Sequence, residues 1–365
     1  MKSPLEMLAE AHLEHTNKII AFCGMLTLVL AAGLPQIQLQ TDFQSSLPDD
    51  IPAIEAQDKV ESNFGSPDSI IVLFETNKES LEENYVTDVR DPRMIRTLNF
   101  LEKELQNEPA ISSVNSMAML FNENPSSGEE VKQVLERSSA SFANRDYTAT
   151  TMYIQLSNDM TEENIKSATN IIQENIQQSP KYPGIDIQTT GVPVMRSTLS
   201  DVLISDTVTI IALASLLIWI LLMAVRGIVY GTATFAPLFI GLLWAMGAMG
   251  LLGIPMTIAT IAIGSMLLGL GVEYGSFIAE RIVEETEENG VEEGIMTAVP
   301  NTGRAILGSS MTDLVGFLAL LLASISFMQD LGLTLALGEA LTLAAALLLT
   351  PALIVKYERW KGDKE

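Results

Sequence analysis

Long runs of apolar residues constrain this chain more than any other feature. One such run lies at 19–34 (IIAFCGMLTLVLAAGL), and five more lie between 203 and 355. A bilayer is crossed by about 20 apolar residues in a helix. The second region divides at its charges and turns, which predicts helices at 204–225, 228–252, 255–280, 304–326 and 331–355. The breaks are Arg226–Gly227, Gly253–Ile254–Pro255, the polar stretch 281–303 and Gln329–Asp330. Arg226, Arg281, Arg304, Lys356, Arg359 and Lys361 fall on one side if the N-terminus is cytoplasmic. This predicts a bundle of six transmembrane helices in the cell membrane, with both termini inside.

The N-terminal residues 1–17 have amphipathic spacing, with Leu5, Leu8 and Leu13 on one side, and predict a helix on the cytoplasmic membrane surface. Residues 18–35 form the first span. A cleavable signal peptide ending near Ala31 and Ala32 is the competing reading. His12 and His15 are expected on an exposed face, and Cys23 is the only cysteine, so no intrachain disulfide can form.

Residues 36–202 are expected outside the cell as one folded domain. SIIVLFE (69–75), AISSVNSM (110–117), YTATTMYIQL (147–156) and GIDIQTTG (184–191) read as strands. PRMIRTLNFLEKELQN (92–107) and TEENIKSATNIIQENIQQ (161–178) read as amphipathic helices, the second with Thr161 as its N-cap and Asn164 three residues on. The order βαββαβ is that of a ferredoxin-like unit, with 118–145 as an insertion. Residues 203–355 hold helices 2–6, with a cytoplasmic surface helix at about 288–300, and 356–365 form a cytoplasmic tail. The net charge of −24 opposes nucleic-acid binding, which needs a basic surface. No Walker A pattern, metal cluster or Ser-His-Asp set is visible in the sequence, so no ATP hydrolysis, metal centre or enzyme activity is expected.

Three carboxylates fall inside predicted spans: Glu273, Asp313 and Glu339. A charge at the bilayer centre costs at least ~2.5–3.5 kcal/mol, so such residues should face the protein interior and have a purpose. At a rise of ~1.5 Å per residue from the predicted cytoplasmic ends, Glu273 lies roughly 10 Å in, Asp313 roughly 13 Å and Glu339 roughly 22 Å. Ser265, Gly269, Glu273 and Ser276 share one helical face, as do Ser309, Asp313 and Gly316. Gly271 and Gly275 add a small-xxx-small pair suited to close helix packing. No Lys or Arg lies deep in a span. Burial and mutual repulsion then favour a protonated carboxyl in at least one acid, as a proton relay requires. Carboxyls that only hydrogen-bond neighbouring helices are the simpler alternative.

The segment GLGVEYGSFIAERIVEE (269–285) resembles the fourth-helix signature of the resistance-nodulation-division superfamily. It is most similar to the branch holding MmpL-like lipid exporters, hopanoid transporters and half-size archaeal hydrophobe/amphiphile exporters. The family's Gly-x-Gly-x-Asp-Tyr, followed by an Arg and paired acids, falls here on Gly269, Gly271, Glu273, Tyr274, Arg281, Glu284 and Glu285. The stretches 226–257 and 298–324, with Pro351, extend the resemblance over nearly the whole chain.

The resemblance implies that Glu273 carries protons, with Tyr274 as its hydrogen-bonding companion. Glu replaces the usual Asp and moves the carboxyl one methylene from the backbone. Thr312 aligns with a recurrent Thr of helix 5, Asp313 is additional, and Glu339 lies outside the pattern. Full-size members hold two such halves, so a homodimer is implied, with its fourth helices near the axis. The implied function is export of lipids or other amphiphiles driven by protons, without another cofactor. A SecD/SecF-like protein-translocation accessory shares six spans, an external ferredoxin-like domain and intramembrane acids. A lipid- or sterol-sensing receptor is a third reading.

Overall fold

The computed structural model describes residues 2–40, 69–76, 85–121, 123–138, 142–157, 160–257, 260 and 262–362, with 52, 54, 56 and 59. Parts of the expected insertion 118–145 and of the tail 356–365 lie outside these residues. The chain divides into two compact units, Asp49–Asp201 and Met1–Pro48 with Val202–Glu365.

In the first unit, β1 (Ser69–Thr76), β2 (Ile111–Asn115), β3 (Ala149–Leu156) and β4 (Ile185–Thr190) form one sheet in the order β2-β3-β1-β4. Every pairing is antiparallel. Alternation along β1 sends Ile70, Val72 and Phe74 to one face, where Ile70 pairs with Ile154 and Val72 with Met152. That face meets α2 (Pro92–Leu105) through Met94, Ile95, Leu98, Leu101 and Leu105, all fully buried. It also meets α4 (Glu162–Gln178) through Ile165, Ala168 and Ile172. α3 (Gly128–Arg137), from the insertion, adds Val131 to the same core.

Both long helices start at capped residues. Asp91 accepts from the Arg93 N–H with Pro92 at the first helical position, and Thr161 Oγ1 accepts from the Asn164 N–H at 3.3 Å. Partial burial works to raise the Asp91 carboxyl. The side-chain and backbone hydrogen bonds from Arg93, with its charge, outweigh that and hold Asp91 below the usual carboxylate range.

The second unit is helical. α1 (Pro4–Ala31), α5 (Val192–Leu252, its residues to Asp201 counted in the first unit), α7 (Val291–Ala319) and α8 (Ser326–Gly362) belong to segments long and apolar enough to cross a membrane. α6 (Ile263–Asn289) carries Glu273 and Glu280 within its apolar part. The exterior is rich in Leu, Ile and Val: Leu216, Leu217, Ile220, Leu221, Val225 and Ile228 of α5 are all exposed. Water does not tolerate a face of that kind, whereas lipid does.

Two glycines set the breaks. Gly227, at φ 77° and ψ 168°, divides α5 at the expected turn. Gly290, at φ 86°, separates α6 from α7. Both lie in the left-handed region that glycine enters without steric cost.

The helix boundaries depart from expectation at three places around α6 and α7, while α5 starts before 204 and α8 overruns 331–355 at both ends. The fourth apolar helix starts at Ile263 rather than 255. Thr257 and Thr260 bond each other's backbone, and Met256 N–H donates to Gln38 O at 2.7 Å, which satisfies this segment outside a helix. α6 then continues through the charged residues to Asn289, because Arg281 pairs with Glu284 and Glu285 at i,i+3 and i,i+4. The surface helix expected at about 288–300 is not separate. α7 runs unbroken from Val291 through Pro300 to Ala319.

His12 is fully buried, against the expected exposed face, while His15 is exposed. The His12 ring nitrogens lie 2.7 Å from Leu8 O within α1 and 3.0 Å from Leu348 O, and the second contact ties α1 to α8. α1 bends at His15 (φ −129°, ψ 28°). Its apolar half packs Cys23 with Trp244, Ala345 and Leu349, and Trp244 Nε1 donates to Thr27 Oγ1 at 2.8 Å.

Candidate functional site

α6, α7 and α8 meet around Tyr274. Ile278, Ala279 and Ile282 of α6 pack with Ile306 of α7 and Leu343, Ala346 and Leu347 of α8 in one buried cluster that includes Tyr274 itself. Gly271 lets α6 approach α5 and α8: a Cβ there would lie 2.3 Å from Leu238 Cδ1 and 2.5 Å from Thr342 Cγ2. Gly275 sits against Thr234 of α5, with 3.2 Å to its Cγ2. Gly269 and Gly316 face open space in the single chain, so within this bundle they bring no helices together.

Tyr274 is 2% exposed and its hydroxyl lies between two carboxyls on different helices. It donates to Glu339 Oε1 on α8 in a close contact, and lies 3.5 Å from Asp313 Oδ2 on α7. Glu339 is 0% exposed, and its Oε2 has no hydrogen-bond partner among the described residues. Asp313 is half-buried.

Glu273 is exposed and forms no hydrogen bond among the described residues. As the residue before Tyr274, it lies about 100° around the helix from it. Thr312 is also exposed, and its Oγ1 donates to Gly308 O at 3.3 Å, within its own helix. The structure thus brings together Tyr274, Asp313 and Glu339, and sets Glu273 and Thr312 on an open side.

That side holds a cleft of about 520 Å³ whose lining includes Glu273, Tyr274, Phe277, Glu280, Asn301 and Ser309. Arg281 also lines the cleft and is engaged with other acids, as is Arg226. Arg281 pairs with Glu284 and Glu285, and Arg226 pairs with Glu280 at 3.0 Å. No group of three or more metal-ligating side chains occurs among the described residues.

The expected depths fail for Glu339. Counting from helix ends set at the last apolar residues placed it roughly 10 Å above its actual partners at ~1.5 Å per residue. That count takes the helix ends as level, and the contact between Tyr274 on α6 and Glu339 on α8 shows that they are not. A different signal was available. Thr334, Gly338, Thr342 and Ala346 repeat every four residues on a Leu-rich helix, beside Glu339, and all are buried. A small and polar stripe of this kind marks a face turned to other helices.

Residues 45–365 match the MMPL family model. The chain belongs to the MMPL family. A membrane protein of Methanocaldococcus jannaschii, MJ1562, is 33% identical over 96% of this chain and 93% of its own length. MmpL4 of Mycobacterium leprae, named as a probable transport protein, is 28% identical over 57% of this chain and 23% of its own length. MmpL3 of the same organism, named as a probable trehalose monomycolate exporter, is 30% identical over 47% of this chain and 18% of its own length. The chain is therefore a membrane protein of a transporter family, and it spans under a quarter of the two mycobacterial relatives.

Proposed function

We propose that this chain is half of an exporter that uses the proton gradient to move lipids or other amphiphiles outward. The observation that carries this reading is Tyr274 set between Asp313 and Glu339, with Glu273 alongside, inside an apolar bundle. An acid cluster without a buried cation is costly in lipid. Exchange of protons gives it a purpose, and the transport role in the name of MmpL4 and the export role in the name of MmpL3 fit that use. The coupling ion is the proton, and no other cofactor is required.

In this reading α5 crosses twice, divided at Gly227. With α1, α6, α7 and α8 that makes six spans in the cytoplasmic membrane, both termini inside. The sheet unit is a ferredoxin-like porter domain outside, its order β2-β3-β1-β4 being that of a split βαβ fold. Substrate contacts belong to this domain and to the lipid-facing surface of the bundle.

The working form is a homodimer. The open side of α6 and α7 carries Gly269, Glu273, Gly308, Ser309, Thr312 and Gly316, all exposed, whereas the exterior of α5 carries Leu and Ile. Leaving Glu273 in lipid costs at least ~2.5–3.5 kcal/mol if it is charged. A second copy covering that side removes the cost and places two Glu273–Tyr274 pairs across the axis.

The test is proton flux into liposomes of native lipids under an imposed pH gradient, comparing wild type with Glu273→Gln. Flux in the wild type that is lost in the variant supports the reading. Equal flux in a correctly assembled variant takes Glu273 out of the mechanism.

A further inference from the structure

We propose that Glu339 is the proton-holding site of this membrane unit, and that the Tyr274 hydroxyl is the switch passing its proton to Asp313. This rests on the transport reading above and assigns the central role to an acid outside the family's fourth-helix pattern.

Three observations carry it. Glu339 is the acid of the cluster that is fully removed from solvent, while Glu273 is exposed and Asp313 half-buried. Its Oε1 accepts from Tyr274, whereas its Oε2 is buried with no partner among the described residues. A carboxylate there would hold its charge on a single hydrogen bond with no cation at hand, which costs several kcal/mol. A carboxylic acid with its proton on Oε2 fits the same atoms. Finally, the hydroxyl that meets Glu339 also reaches Asp313, at 3.5 Å. That distance is long for an O–H···O bond, so the second bond must tighten before a proton moves.

The titratable groups acting on Glu339 are Tyr274 and Glu273 on α6 and Asp313 on α7. The transfer balances without another reactant. The Glu339 carboxyl turns so that its O–H donates to the Tyr274 oxygen, and the Tyr274 O–H turns to the Asp313 carboxylate. Glu339 gives its proton to the tyrosine oxygen as the tyrosine proton passes to Asp313 Oδ2. Glu339 is then a carboxylate, Asp313 a carboxylic acid, and Tyr274 neutral as before. A purely structural hydrogen bond between α6 and α8 would need none of these exchanges.

Infrared difference spectroscopy on the full chain in lipid, titrated with pH, tests the assignment. The expected result is a carbonyl band of a protonated carboxyl in apolar surroundings. It disappears in Glu339→Gln, fades as pH rises, and shifts to higher frequency in Tyr274→Phe as its hydrogen bond is lost. Gradient-driven proton flux in Glu339→Gln should fall to that of protein-free liposomes, with Glu339→Asp recovering part of it. A band that ignores pH, or wild-type flux in Glu339→Gln, overturns the proposal. If Glu339→Gln does not assemble, the pH response of the wild-type band and its shift in Tyr274→Phe decide. A wild-type chain that passes no protons removes the transport reading, while the pH response of the band still decides whether Glu339 exchanges its proton.

Discussion

The Tyr274 hydroxyl on α6 donates to the Glu339 carboxyl on α8, and both side chains are buried. The bond joins two helices and also satisfies a carboxyl that has no other partner among the described residues. Tyr274→Phe keeps the ring in its packed cluster and removes only the hydroxyl. Leaving one buried polar group unpaired costs about 1–3 kcal/mol. The variant should assemble, and its thermal unfolding midpoint in detergent should fall by a few degrees. An unchanged midpoint would mean that the bond contributes nothing to holding α6 and α8 together.

Gly269 has open space around it in the single chain, yet it lies on the face with Glu273. Gly269→Leu should leave the fold intact and disrupt pairing of two copies. Light scattering on the purified protein should show a shift from dimer to monomer. A dimer that persists in this variant would place the interface elsewhere.

Gly247 supplies the contrast. A Cβ there would lie 2.1 Å from Leu30 O, a backbone atom of α1 that cannot step aside as a side chain can. Gly247→Ala should separate α1 from α5 and destabilise by about 1–3 kcal/mol, the usual cost of overpacking. Its midpoint should fall well below that of Gly316→Ala, whose new methyl meets nothing within 4 Å.

Asp91 caps α2 and pairs with Arg93 at 2.7 Å. Its carboxyl is held below its usual value of 3.8 in the folded chain. Its contribution is thus complete above that value and is lost as pH falls through the lower folded one. At neutral pH, Asp91→Ala should cost about 1 kcal/mol, typical of a lost cap. Unfolding curves of the two proteins should converge in acid, and a gap that stays constant with pH would deny the carboxylate its role.

Local chemistry was legible in the sequence where one rule governed it. The run SIIVLFE marked β1 from Ser69, Pro92 and Thr161 marked helix starts, and Gly227 marked the break in α5. Helix ends were less legible, because charge alone does not stop a helix. Arg281, Glu284 and Glu285 extend α6 by pairing along it. The burial of His12 was hidden for another reason. Its partner, the Leu348 carbonyl, is distant in sequence, and no local pattern points to it. At the site, the motif identified Tyr274, but a family signature cannot reveal an acid outside itself. Glu339 stood out as a carboxyl in an apolar run, but its meeting with Tyr274 did not, and the Thr334, Gly338 and Thr342 stripe beside it is the signal for that face.

The central claim is that this bundle moves protons through Tyr274. The most direct measurement is the decay of an imposed pH gradient across liposomes holding the wild-type chain or Tyr274→Phe, with protein-free liposomes as the baseline. Fast decay is expected with the wild type and baseline decay with the variant. Equal decay in the two proteins would contradict it, as would a wild-type trace no faster than the baseline.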